Sequence, residues 1–171
     1  MNKVYALLLA MLATNVTYAH DLTEPSTPDG VSPVKTWNVG AGITQKLVHL
    51  NAEWVNPYGV AYLKGGVFMS ADHEPGGQIG FRAPVHLTGT DKNGYYVGAY
   101  AGQIDRHWVD GEDKTRLGGG IDLAYVMLSS ERISTFSVGI GAGEKLKDRS
   151  GNVVAEIEPR LQFSYTLSIG L

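Results

Sequence analysis

The clearest pattern lies at the C-terminal end of the chain. Leu161, Phe163, Tyr165, Leu167, Ile169 and Leu171 alternate with Arg160, Gln162, Ser164, Thr166, Ser168 and Gly170. A period of two puts the first set on one face of a β-strand and the second on the other. The same period recurs upstream and predicts strands over 36–45, 49–55, 59–69, 78–88, 95–108, 116–128 and 133–145, which with 161–171 make eight. In the fourth, Ile79, Phe81, Ala83, Val85 and Leu87 share a face; in the sixth, Leu117, Ile121, Leu123, Tyr125 and Met127; in the seventh, Phe136, Val138, Ile140 and Ala142. The fifth leaves two sets open as its apolar face: Tyr96, Tyr100, Ile104 and Trp108, or Val97, Ala99 and Ala101.

The connections alternate in character. Turn formers at Asn56-Pro57, in 90–94 and in 129–132 make short links, whereas 70–77, 109–115 and 146–152 are longer and charged. The link near 46–48 is very short. Even strand number and alternating links predict an all-β fold, a closed antiparallel up-and-down barrel of about eight strands. Pro84 falls inside the fourth strand, where a closed barrel has no free edge to excuse its missing N–H, so a bulge is expected there.

The N-terminal segment reads differently. Lys3, the apolar run from Val4 to Ala13, and Thr17-Tyr18-Ala19 have the form of a cleavable export signal over 1–19. Residues 20–35, with Pro25, Pro28 and Pro33, read as a flexible leader on the periplasmic side, and 36–171 as the barrel. Beyond the signal no apolar stretch is long enough for a membrane helix. The chain has no cysteine, which excludes disulfides, thiolate metal sites, cysteine catalysis and a lipidated cysteine. A net charge of −3 without a basic block argues against nucleic acid.

Alternation does not say which face of a barrel points inward. The polar face carries glycine and charges of both signs, namely Glu53, Lys64, Arg82, Asp122, Lys145, Glu158 and Arg160. Mixed charge and small residues suit a packed lumen in which the charges neutralise one another, so the apolar face is expected to meet lipid and the barrel to be transmembrane. Aromatics at strand ends fit the same reading: Trp37, Trp54, Tyr95 and Tyr96 at one rim and Trp108 at the other are expected at the headgroup level.

The last strand, Phe163-x-Tyr165-x-Leu167-x-Ile169-x-Leu171, resembles that of small outer-membrane β-barrel proteins of Gram-negative bacteria, except that Leu171 stands where an aromatic residue is commoner. The resemblance implies an outer-membrane location, with these five residues read by the barrel-assembly machinery. It also implies outer-membrane lipid and lipopolysaccharide as partners. A monomer is expected.

Catalytic signals are weak. His86-Leu87-Thr88 is the nearest approach to the His-x-Ser pair of lipid A deacylases, but Thr replaces Ser and the pair has inward parity. His73-Glu74 beside Asp72, and the patch Asp110, Glu112 and Asp113, read as solvated loop tips rather than cation sites, and Gly118-Gly119-Gly120 lacks the Lys-Ser/Thr of a phosphate loop. Arg106 is the candidate contact for lipopolysaccharide phosphates. No cofactor is expected. The expected function is a non-enzymatic envelope protein acting structurally or through its outer loops. The alternatives are a narrow solute channel, a lipid A-modifying enzyme and a soluble periplasmic binding barrel.

Overall fold

Eight strands pair antiparallel, each with its neighbour in sequence, until the last closes on the first. A computed structural model describes residues 34–69, 74–85, 93–109 and 111–171, with backbone alone for 105–108 and 112–113. The strands of the barrel are β1 (Trp37–Thr44), β2 (Leu47–Asn56), β3 (Gly59–Phe68), β4 (Pro75–Pro84), β5 (Gly94–Val109), β6 (Glu112–Leu128), β7 (Arg132–Gly143) and β10 (Pro159–Gly170). Between β7 and β10 lies a separate small hairpin of β8 (Leu146–Lys147) and β9 (Val153–Ala155). The expected segments 1–19 and 20–33 fall outside the described residues.

The alternation is obeyed with an inverted sense. Leu50 is 72% exposed, whereas Asn51 and Glu53 on the opposite parity of the same strand are 4% and 2% exposed. Along β10, Leu161, Phe163, Tyr165, Leu167 and Ile169 face out and Ser164, Thr166 and Ser168 are buried. The same holds for Val97, Ile121, Leu123, Phe136 and Ile140, all exposed, against Arg82, Asp122 and Ser137, all buried. Closing the sheet therefore packs its polar face. The open parity of β5 is settled too: Val97 and Ala101 face out, while Tyr96 and Tyr100 are buried inside.

Glycine makes this interior possible. A side chain at Gly80 would run into the Tyr62 ring, and one at Gly120 or Gly141 into the Tyr100 hydroxyl. The inward glycines thus provide the volume that the large luminal side chains fill.

Several links differ from expectation. Pro84 is the last residue of β4, and the irregularity in the ladder lies in β5 between Gln103 and Asp105 instead. Val85 N–H donates to Tyr95 across the β4–β5 seam, so the Pro84 nitrogen points the other way. There β3 has already ended its pairing at Val60–Arg82, so no ladder bond is lost. The expected loop 109–115 shrinks to a tight turn with Gly111 at φ 84°, because β5 and β6 run on as a paired hairpin to Val109 and Glu112. The turn at Gln45-Lys46 is as short as expected, and it works because the Thr44 hydroxyl accepts from Leu47 N–H at 2.9 Å. The link after β4 is longer than expected, since β4 stops at Pro84 and β5 starts at Gly94.

The end where β1 begins and β10 ends is closed by apolar packing. Val60, Tyr96, Ala124, Val126 and Ile133 form a buried cluster, and Val34, Val55 and Leu128 pack against it. Leu171 N–H donates to Trp37 at the join of β10 and β1.

Filling an inward glycine should cost far more than filling an outward one. A Cβ at Gly98 would meet Asp122 Oδ1 and Arg82 Cγ, whereas one at Gly65 meets nothing. Gly98→Val is expected to destabilise by about 1–3 kcal/mol through overpacking. Gly65→Val should stay within about 0.5 kcal/mol of the parent. Denaturant unfolding followed by tryptophan fluorescence measures both.

Candidate functional site

The register brings one row of residues across three adjacent strands: Arg82 on β4 faces Gly98 on β5, which faces Asp122 on β6. Since Gly98 has no side chain, Arg82 reaches over it to the carboxylate. Its Nη2 lies 2.6 Å and its Nε 3.1 Å from Asp122 Oδ2, and Nη2 also donates to Ser137 Oγ at 3.1 Å. Arg82 and Asp122 are almost entirely shielded from solvent.

The neighbouring positive charge is handled separately. Lys64 Nζ donates to Ser164 Oγ at 3.0 Å, straight across the lumen from β3 to β10. The Tyr62 ring takes both cations on its π face, with Arg82 Cζ 4.4 Å and Lys64 Nζ 5.0 Å from the centroid. Glu53 is hydrogen-bonded to Ser168, whose hydroxyl also accepts from Asn51 Nδ2 at 2.8 Å. Glu53 is within electrostatic reach of Lys64 and Arg82. Two cations thus face two carboxylates, with hydroxyls and an amide adding bonds, while Glu53 Oε2 and Asp122 Oδ1 are buried without a hydrogen bond. Buried charge is tolerated on those terms.

Four of the seven expected luminal charges, Glu53, Lys64, Arg82 and Asp122, meet here. The other three do not. β7 ends at Gly143 and β10 starts at Pro159, so Lys145 and Glu158 lie beyond the strands. Lys145 pairs instead with Glu156 at 3.0 Å, both side chains well exposed. Arg160 keeps inward parity but sits exposed at the mouth, because β1 stops at Thr44 and only β7, through Gly141, pairs with it there. Counting by twos gives a residue's face and says nothing about where the wall ends.

Tyr96 is a further correction. It was expected at the rim, yet it is fully buried in the apolar cluster at the terminal end, because adjacent residues in a strand point to opposite faces. Trp37, Trp54 and Tyr95 are outward and exposed. Trp37 and Trp54 stack at 6.1 Å, and Tyr95 meets Tyr125 edge-on at 5.1 Å. Tyr95, Tyr125, Phe136 and Tyr165 are successive register partners, a row of exposed rings across four strands. The side chains of Trp108 and Arg106 fall outside the described residues, as do His73 and 86–88.

Arg116 was not singled out from the sequence. Its signal was available, since it shares the parity of Asp122 in β6. It is buried and donates to three backbone carbonyls: Nε to Glu144 at 3.0 Å, and Nη2 to Gly143 at 3.2 Å and Glu156 at 2.7 Å. One guanidinium therefore ties both ends of the 144–158 excursion to the barrel. At the tip of that excursion Asp148 accepts from Asn152 N–H at 2.7 Å and from its Nδ2 at 3.0 Å, which holds the Asp148 carboxyl below the usual carboxylate range.

The free space in the lumen is small. A cavity of about 10 Å³ lies between Lys64, Asp122, Ser137 and Ser164. That is room for about one water. A larger one, about 40 Å³, opens at the mouth where β1 ends and β10 begins and includes Lys46, Leu47, Phe68, Arg160 and Leu161 in its lining.

Removing one partner of the central pair leaves the other charge buried alone. Asp122→Ala is expected to cost about 3–5 kcal/mol. Combining it with Arg82→Met should recover much of that loss, a non-additivity read by a double-mutant cycle in denaturant unfolding. Arg116→Ala should leave the barrel folded but make 144–158 the first site of limited proteolysis, mapped by mass spectrometry. No family model matches the sequence, and no curated protein or solved structure is detectably similar to it.

Proposed function

We infer that the chain is an integral outer-membrane β-barrel protein of a Gram-negative bacterium, without a catalytic role, that serves the envelope structurally or by surface contacts through its outer loops. The observation that carries this reading is the inverted exposure: a continuous apolar exterior around an ionised, hydrogen-bonded interior. In water such an exterior is unfavourable at roughly 25 cal/mol per Å² of apolar surface, and patches of this extent mark contact with lipid or protein. The dimensions agree. From Leu161 to Leu171 at ~3.3 Å per residue and a tilt near 45°, the last strand rises about 23 Å along the barrel axis, against ~25 Å for the apolar band of such barrels.

The exposed rings near the terminal end, Trp37, Trp54 and Tyr95, suit the headgroup level there. The small luminal cavities and the charge network around Arg82 speak for a structural interior rather than a conduit. The exposed alternation of Phe163, Tyr165, Leu167 and Ile169 supports reading by the barrel-assembly machinery, and a monomer suits the closed sheet. Arg106, in the part of β5 that runs past the bulge, stays the candidate contact for lipopolysaccharide.

Cell fractionation with heat-modifiable gel migration tests the reading. Recovery in the outer-membrane fraction, with a faster unboiled band, is expected; recovery in the aqueous phase without detergent would overturn it in favour of a soluble barrel. Planar-bilayer recordings should show no steady conductance. Lipopolysaccharide incubated with the protein should keep its mass, and a mass change would establish an enzyme.

A further inference from the structure

The two luminal cavities are neighbours and share part of their lining. The one at the mouth and the smaller one beside Lys64 and Asp122 are both bounded by Gln78, Tyr100 and Gln162. At that boundary a hydrogen bond crosses the barrel: Gln162 Nε2 on β10 donates to Gln78 Oε1 on β4 at 3.3 Å. Around the closed sheet, β7, β6 and β5 separate those two strands on one side, and β1, β2 and β3 on the other. The two amides therefore meet along a diameter of the bore.

Solvent exposure falls across this pair. Along the inward face of β10, Arg160 is exposed, Gln162 half-buried and Ser164 buried. Lys64, Asp122 and Ser137, which line the inner cavity with Ser164, are buried too. The two halves of the pair are held unequally. Gln78 is buried, and its Nε2 also donates to Gln103 O at 3.2 Å. Gln103 is fixed in turn, since its Oε1 accepts from Gly77 N–H at 2.8 Å. Gln162 is held to Gln78 by a bond that is long for N–H···O, and a neutral bond of this kind contributes little net. Below the pair the bore closes again, first at Arg82 and Asp122 and then at the cluster around Tyr96.

We propose that the Gln78–Gln162 pair is a latch across the bore: when Gln162 swings aside, water and small uncharged solutes pass from the mouth to the level of Lys64 and Asp122, and no further. Gln162 is the moving half, because Gln78 is anchored to β5 through Gln103. The mouth cavity that Gln162 already lines gives its side chain room to move. Asp122 Oδ1, buried without a hydrogen bond, offers water an acceptor on the inner side. The lumen is then a dead-end chamber with a door. The latch is a property of the bore alone and holds for a barrel in lipid or in water.

The chain has no cysteine, so one introduced thiol reports solvent access without background. Ser164→Cys places it in the inner cavity, Gln45→Cys in the mouth lining and Ala124→Cys in the cluster around Tyr96. Each is made in the full mature chain and treated with methyl methanethiosulfonate, a small uncharged thiol reagent, with labelling followed by mass spectrometry and the fold of every sample checked by circular dichroism. Slow labelling at 164 is expected while Gln162 is present. Gln162→Ala should speed it by about fivefold or more, as loss of a neutral hydrogen bond allows. Gln162→Met, which keeps the bulk and drops the amide, should speed it as well. Gln45→Cys should react at one rate in all three backgrounds, and Ala124→Cys should stay unlabelled in all three. Labelling at 164 that is equally fast with Gln162 and with Ala, or that stays slow with Met, would overturn the latch. Labelling at 124 that rises with Gln162→Ala would overturn the dead end.

Discussion

An eight-strand barrel leaves an interior just wide enough for side chains, so every inward polar group has to find its partner among the other inward side chains. The rest of this structure follows from that constraint. Arg82 can neutralise Asp122 because Gly98, between them in the same row, has no side chain in the way. Lys64 is held by a serine of the last strand, Glu53 by another, and Tyr62 lies against both cations. The number of glycines is the complement of the size of Tyr62, Tyr100 and Arg82. A chain with larger inward residues could not close around them.

A charge-paired interior also bears on what the protein does. Charges locked to one another across the lumen act as struts, and the little space left among them suits single waters. The terminal end is shut by the cluster around Tyr96, and the long excursion at the other end is tied down by Arg116. What distinguishes this barrel therefore lies at its exterior and its uneven rim, where β5, β6 and β10 rise past the strands beside them. A stepped wall exposes strand edge, which a level rim would not do.

Much of this was legible in the residues. All eight strands and the shared face of Glu53, Lys64, Arg82 and Asp122 follow from counting by twos, and the inward sense of that face from its mixed charge and glycine. The errors share a cause. Tyr96 was placed at the rim because it sits beside Tyr95, although adjacent residues cannot both face out. Lys145, Glu158 and Arg160 have a definable parity but lie where the wall is absent or one-sided. Pro84 was judged against a strand drawn too long. The segment 109–115 has the composition of a loop, yet pairing with the neighbouring strand carries it on as sheet up to a turn that holds Gly111 at positive φ.

By itself the sequence determined which residues share a face, because side-chain alternation is a local property of the pleated backbone. It also determined that the polar face could close on itself, since it holds charges of both signs and enough glycine to fit them. Tertiary structure alone decided how far each strand keeps a partner, which inward residues meet, and where the wall steps down. Those depend on the register between strands distant in the chain, and register is set by the whole ring closing at once.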